Sequence, residues 1–404
     1  MNSAIINLNL EGNMIILLSR RRIIFSILVI SLILFSILLV YQKVNYINGS
    51  VIYVDDPRYD MLTMKIQEIF EIRNTSILKK DPDKISNLYD QNLRNGRWAC
   101  AHALQKMEYL HSWSSKQGIN FKDINSTVKV RYVKTKGEGF SVNLLVSTEY
   151  DYFYDDSPEE INSFRIGTYH SLDLMPIENG SESSITSPDP HITEHNLLIT
   201  REWYTDPFAD SLSPDIVDKQ DVTNMIKTGV ERDLSTINER RKNAMVYAEK
   251  YCGAASLPEY DYKYNPDYRN YNNLGGDCAN FASQILYEGG KFPKSGAWNY
   301  YRGNGSSAWV NASAFNNFMI YSGRASLLAH GNYEQVLKQS YQLLPGDYIA
   351  YEKKGKVVHI SVVWGIDSKG YTLVVSHNTD RYKVPWDLGW SNKNIKFRLV
   401  RVHY

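Results

Sequence analysis

The stretch at residues 274–290, L-G-G-D-C-A-N-F-A-S-Q-I-L-Y-E-G-G, constrains the fold more than any other part of the chain. Gly275 and Gly276 allow a tight turn, Asp277 is a favoured helix N-cap, and the run after it has helical spacing. Cys278 is thereby predicted at a helix N-terminus, where unpaired N–H groups and the helix dipole favour a thiolate over a thiol. Phe281, Ala282, Ile285 and Leu286 give the helix one apolar face, and Gly289 and Gly290 end it. A lone cysteine is most often a small buried hydrophobe, and that reading serves for Cys100. For Cys278 the turn, cap and helix together point to a nucleophile, which also needs a distant histidine.

Strands downstream supply one. After the turn Pro345-Gly346-Asp347, residues 348–351 and 357–364 read as consecutive strands joined across Lys353-Lys354-Gly355. Alternation groups Val357, His359, Ser361 and Val363 on one face and Val358, Ile360, Val362 and Trp364 on the other. His359, on the more polar face and after the Cys helix in chain order, is the expected general base. The turn at residues 367–370 leads into a strand over 371–376. A two-residue loop at Ser368-Lys369 would set Asn378 opposite His359; a loop one residue longer would set His377 or Thr379 there. Asp380 lies farther along and would need a bulge.

The motif around Cys278 resembles the putative amidase domain family of bacterial proteins, whose signature is close to G-G-D-C-x-N-F-x-S-Q-x-L-x-x-G-G. The likeness extends to residues 244–251, Tyr264-Asn265-Pro266, Trp298-Asn299-Tyr300, Ser307-Ala308-Trp309, Pro345-Gly346-Asp347 and Val358-His359-Ile360-Ser361, covering roughly the last two fifths of the chain. It implies a papain-like cysteine hydrolase similar to the NlpC/P60 and CHAP enzymes. Asn378 would then correspond to the asparagine of papain, and His377 to the second histidine of the NlpC/P60 arrangement, the slightly preferred assignment. The resemblance also brings Asn272, Asp277, Trp298 and Trp309 forward as oxyanion or substrate contacts. Asn273 is within the same reach, and the backbone N–H of Cys278 is the safer oxyanion donor.

Ahead of this region, Arg20-Arg21-Arg22 precedes an uncharged run over residues 23–41, long enough to cross a bilayer as a helix. No A-x-A-like cleavage site ends the run, so an uncleaved anchor is expected rather than a signal peptide. The arginine cluster puts the N-terminus in the cytoplasm and the remainder outside. With three cysteines, an exported domain has no disulfide framework, and Cys100 and Cys252 are not expected to pair.

Residues 59–205 read as a distinct α+β domain: helical patterns around Met61–Phe70 positions and over 98–113, then strand-like runs at 128–133, 140–154, 164–175 and 197–204. The order looks like the NTF2-like cone fold. His102, His111 and His170 lack metal-ligand spacing, so no metal or cofactor is expected. The expected organisation is a tail, transmembrane anchor and stalk at 1–58, the NTF2-like domain at 59–205, a linker at 206–235 and the papain-like domain at 236–404. A formal net charge of +1 argues against nucleic acid as the main partner. The expected activity is a membrane-anchored extracytoplasmic cysteine amidase or peptidase acting on peptidoglycan-type material. The runner-up is a ligand- or protein-binding surface protein whose papain-like domain is catalytically silent.

Overall fold

A computed structural model describes residues 59–177, 197–209, 219–229, 232–390, 392 and 394–404, with the isolated positions 24, 25 and 29. The chain divides into two units, Met1–Tyr53 and Val54–Tyr404. Apart from those three positions, the anchor expected at 23–41 lies outside the described residues, as does the Ser/Pro-rich loop at 179–190. Among the described residues no helix is long and apolar enough to cross a membrane.

The second unit opens with helices α1 (Asp60–Lys79), α2 (Pro82–Ser86) and α3 (Arg94–Gln117). In α3 the buried positions Ala99, Cys100, Ala103, Met107, Leu110 and Trp113 recur at three- and four-residue steps, the stripe a helix needs to lie on a sheet, and Gly118 ends it at φ +70°. Four long strands follow: β1 (Ile119–Lys136), β2 (Gly139–Tyr154), β3 (Ser157–Pro176) and β4 (Leu197–Tyr204). Beyond them come α4 (Lys219–Lys227), α5 (Glu239–Tyr251) and α6 (Cys278–Gln284), the last continuing as a π-turn over Ile285–Gly289. A short hairpin, β5 (Tyr300–Tyr301) and β6 (Asn304–Gly305), precedes α7 (Ser307–Val310) and α8 (Ala312–Tyr321). The chain finishes with β7 (Ala325–Gly331), α9 (Tyr333–Ser340), β8 (Tyr348–Lys353), β9 (Lys356–Ile366), β10 (Thr372–Ser376), β11 (Asp380–Pro385) and β12 (Ile395–Val402). The mixed α+β class expected from sequence is what forms.

These strands make one antiparallel sheet of ten, ordered β1-β2-β3-β11-β10-β9-β8-β12-β7, with β4 pairing one end of β3. The joint is the pairing of β11 with β3, Asp380 with Gly167, Arg381 with Ile166 and Tyr382 with Arg165. Gly167 is needed there because a side chain would collide with the backbone of Ala254, which crosses it. The composition change near Asp206 therefore does not divide the sheet: strands from both sides of it are hydrogen-bonded neighbours.

Each face of the sheet has its own core. On one face, α1, α3 and α9 bury Phe70, Leu110, Trp113, Val336 and Leu337 against Val142, Ile166, Tyr351, Val363 and Trp386. On the other, α5, α6 and α8 bury Ala248, Phe281, Ile285 and Phe315 against Ala350, Ile360, Val362 and Val375. Buried polar contacts tie the first face together across the whole chain: Trp113 Nε1 and Gln117 Nε2 both donate to Asp387 Oδ2 at 3.0 Å, and Tyr371 donates to Oδ1 at 2.8 Å.

Candidate active site

Helix α6 begins with Cys278, as the motif predicts. Gly275 and Gly276 both have positive φ, 105° and 124°, and a side chain on Gly276 would run into the amide of Asn378. Asp277 holds the cap position without capping. Its carboxylate is used sideways instead: Oδ1 accepts from Tyr271 N and Asn280 Nδ2, each at 2.8 Å, and Oδ2 lies 2.6 Å from His377 Nδ1. The backbone N–H of Asp277 donates to Asn378 Oδ1 at 2.5 Å. Asn378 and Thr379 sit at φ 67° and 64°, the left-handed turn that carries β10 into β11.

His377 is 1% exposed and enclosed on every side. Its ring stacks on Phe281, one turn along α6 from Cys278, with centroids 3.7 Å apart and planes at 6°. Tyr264 meets it edge-on at 4.6 Å. Nε2 lies 2.8 Å from the carbonyl of Tyr251. Both ring nitrogens therefore face pure acceptors, and both act as donors. Burial pulls the imidazole pKa down, but the hydrogen bond and charge of Asp277, with Asp380 and the Tyr251 carbonyl, more than offset it and the net shift is upward.

Asp380 is the neighbouring carboxyl. Its Oδ2 accepts from Ala254 N at 2.7 Å and Tyr264 OH at 2.5 Å, and burial raises it to about 6 against the opposing charge of His377. Tyr264 also accepts from Asn272 Nδ2 at 3.2 Å and from Tyr169 OH, on β3, at 3.3 Å. The strands of residues 119–204 thus reach this polar cluster through Tyr169.

Cys278 is 5% exposed. Burial raises its thiol to about 11, and Asp277 adds to the rise, while backbone N–H groups of Ile360 and Ala279 oppose it. At this buried position desolvation pushes the thiol up, opposite to the direction expected from the helix N-terminus. All three cysteines are free.

The other expected site residues divide cleanly. His359 does not approach Cys278: Ile360 and Val362 pack in the core that holds Cys278, while His359 pairs with Tyr351, a member of the core on the opposite face. There it is 3% exposed, stacked on Trp390 at 5.1 Å and 22°, and lowered to about 3 by burial and then by the charge of Arg381. The physical reason is strand alternation: Ile360 and Val362 take the face that carries Cys278, so His359 between them and the bulge takes the other. Tyr351 pairs with His359 but Glu352 pairs with Val357, so Val358 is the extra residue and is exposed. His359, Ser361 and Val363 keep the shared face that alternation predicts; Val357 leaves it. Asn272 is tied to Tyr264 rather than to the sulfur. Trp298 and Trp309 are fully buried, 4.6 Å apart, and donate to Ser283 Oγ at 2.9 Å and Asn280 Oδ1 at 3.0 Å, so they are core behind α6 and present no surface to a substrate. Reading the sequence missed Tyr251, Ala254 and Tyr264 as partners. The aromatic and Asn-rich run at 260–273 was the available signal, but a carbonyl partner such as that of Tyr251 leaves none. Among the described residues, no group of His, Cys, Asp and Glu could hold a metal ion.

Residues 238–400 match the model of a family described as "Putative amidase domain". An uncharacterized protein of Bacillus subtilis (strain 168), YjcM, is 31% identical over 153 residues, 35% of this chain and 31% of that protein. The match thus spans about a third of the relative's length. No solved structure matches. The likeness of residues 238–400 to the putative amidase domain suggests hydrolysis of amide bonds.

Proposed function

We propose that the chain is an amide hydrolase with Cys278 as nucleophile and His377, rather than His359, as its histidine. One observation carries this reading: Asp277 and Phe281, on either side of Cys278 in the sequence, both grip His377, so the imidazole lies against the first turn of α6. The Cys278 thiolate attacks an amide carbonyl, the leaving amine takes a proton from His377, and a thioester forms. Neutral His377 then takes a proton from the water that hydrolyses the thioester, releasing the acid and restoring thiolate and imidazolium. The N–H groups of Ile360 and Ala279 favour the thiolate. The papain-like relation of residues 236–404, the NTF2-like relation of 59–205, a membrane anchor at 23–41 and cell-wall peptide amides as substrates belong to the same proposal, resting on the sequence motif, the order of elements and the uncharged run.

The catalytically silent reading is favoured by a specific observation. Burial pushes the Cys278 thiol up to about 11, away from the nucleophilic form, and both N–H groups of His377 are already engaged by acceptors. Incubating residues 54–404 with purified peptidoglycan, and following released amines by mass spectrometry, separates the two. Hydrolysis that disappears in Cys278→Ala supports the enzyme. Identical product from both proteins, or none from either across pH 6–10, leaves the binding protein.

A further inference from the structure

The face of the sheet away from Cys278 carries a buried guanidinium that no carboxylate among the described residues touches. Arg381 is 1% exposed; Nη1 donates to the carbonyl of Leu388 and Nη2 to that of Pro207, each at 2.7 Å. Its Nε has no partner, and among the described residues no carboxylate forms an ion pair with it. Asp206 and Asp387 act on it only through space. Each has partners of its own: His102 at 2.9 Å for Asp206, and Trp113, Gln117 and Tyr371 for Asp387. Two neutral carbonyls solvate the guanidinium, and the carboxylates of Asp206 and Asp387 balance its charge only from a distance.

Unpartnered polar atoms lie on the same face. Ser376 pairs with Arg381 across β10 and β11. One step beyond the Val362–Val375 pair, the register sets Ser361 opposite Ser376. His359 lies two residues from Ser361 on that face, stacked on Trp390. Ser376 Oγ, His359 Nε2 and Trp390 Nε1 are buried without a hydrogen-bond partner, and Ser361 Oγ has only the Tyr351 hydroxyl beside it. Two hydroxyls, an indole N–H and a neutral imidazole that can carry its proton on Nε2 are all able to donate. Buried water would satisfy such donors, but it would bring no negative charge into contact with Arg381.

We propose that this face holds a small anion, bound to Arg381 Nε and ringed by Ser361, Ser376, His359 and Trp390. With both terminal nitrogens of Arg381 committed to carbonyls, recognition is through a single guanidinium N–H rather than a bidentate fork, which suits a halide or one oxygen of a carboxylate or phosphate. The site lies across the sheet from Cys278, so its occupant is not the amide substrate, and the inference stands whether or not the chain is a hydrolase.

The test is thermal melting of the full-length chain in rising sodium chloride, sodium acetate or sodium phosphate, with sodium HEPES, whose anion is bulky, holding ionic strength constant. An anion that binds only the folded state raises the melting temperature along a saturable curve, and the arm that saturates at the lowest concentration identifies the occupant. Trp390→Phe keeps the ring stack and removes one donor, and Ser376→Ala removes another; each should move the half-saturation concentration up by about tenfold. Arg381→Gln should abolish the saturable component. Because Arg381 also ties down Pro207 and Leu388, crystals soaked in bromide give a second measurement, an anomalous peak within hydrogen-bond distance of Arg381 Nε. Flat or linear responses in all three salts, the same in wild type, Trp390→Phe and Ser376→Ala, together with no bromide peak, would overturn the proposal.

Discussion

Two buried histidines lie on opposite faces of one sheet, and they differ in almost every respect that matters. His377 has an acceptor on each ring nitrogen and a pKa shifted upward; His359 has an unpartnered Nε2 and is lowered to about 3. Burial is nearly equal, 1% against 3% exposed, so burial does not decide the difference. Neighbouring charge does: Asp277 faces one ring and Arg381 the other. A histidine buried beside a carboxylate becomes a cation with fixed donors, while one buried beside a guanidinium stays a neutral ring that packs like an aromatic.

The largest test of this contrast removes the cover from one histidine only. A chain beginning at Asp206 lacks α3, whose Trp113 and Gln117 hold Asp387, and lacks β3, the partner of β11. It leaves the His377 face with its own helices α5, α6 and α8. We expect this fragment to show no cooperative melting, whereas residues 54–404 melt in one transition. A fragment that melts cooperatively near the temperature of the longer protein would show that the two faces are stabilised independently.

Next in size is the loss of a single partner. Asp277→Ala strands a buried imidazolium, and breaking a buried pair from one side costs about 3–5 kcal/mol. His377→Phe leaves Asp277 buried without its cation and should cost a similar amount. His359→Phe strands no charge and keeps the stack with Trp390, so its cost should stay below about 1.5 kcal/mol. Urea titrations of the three variants measure this directly, and equal losses for His359→Phe and His377→Phe would break the comparison.

The two histidines were not equally legible in the sequence. Next to the turn the register is the one of a loop one residue longer, Ile366 beside Thr372, and an irregularity after Leu373 then sets Val362 beside Val375, the pairing that a two-residue loop at Ser368-Lys369 implies. Cys278 at the head of a helix was readable from glycine, cap and apolar spacing, because those signals are local. Which face of β9 meets that helix was not, since alternation says only which residues lie together. The extra residue at Val358 then moved Val357 away from His359, and nothing in Lys356-Val357-Val358 marks a bulge. Asp277 carried a second kind of ambiguity: aspartate before a helix usually caps it, yet here the carboxylate is turned to His377, a partner a hundred residues away. The continuity of the sheet across residues 206–235 was hidden because strand pairing at Gly167 is set by close approach to Ala254, which no composition change reveals.

Stability against pH should separate the pair more gently. His377 has its folded pKa raised above the unfolded value of about 6.5, so its contribution is fully present below that pH and is lost as pH rises through the folded pKa. His359 works in the other direction. Its folded pKa is depressed to about 3, so the unfolded state takes up a proton first and stability falls as pH drops from about 6.5 towards 3. His359→Phe should flatten the acid arm of the melting curve and leave the alkaline arm alone. An acid arm unchanged by His359→Phe would mean that another group, Asp380 included, governs it.

The smallest expected effect is the most informative about chemistry. If His359 is a packing residue behind the sheet, His359→Phe should leave the rate at which Cys278 reacts with iodoacetamide unchanged within about twofold at any pH. The rate itself should be slow near neutrality and climb steeply towards pH 11, since only the thiolate reacts and burial holds the thiol near that value. His377→Asn should change it, because the imidazolium beside the first turn of α6 supplies positive charge near the sulfur. Removing that charge moves the thiol further up and slows labelling at a fixed pH, while Asp277, left without its cation, pushes in the same direction. Mass-spectrometric counting of alkylated Cys278 over a pH series distinguishes these cases, with Cys100 and Cys252 as internal references. A labelling rate that falls in His359→Phe and not in His377→Asn would reassign the histidine of the site, and would require the alternation of β9 to reverse so that His359, not Ile360, faces Cys278.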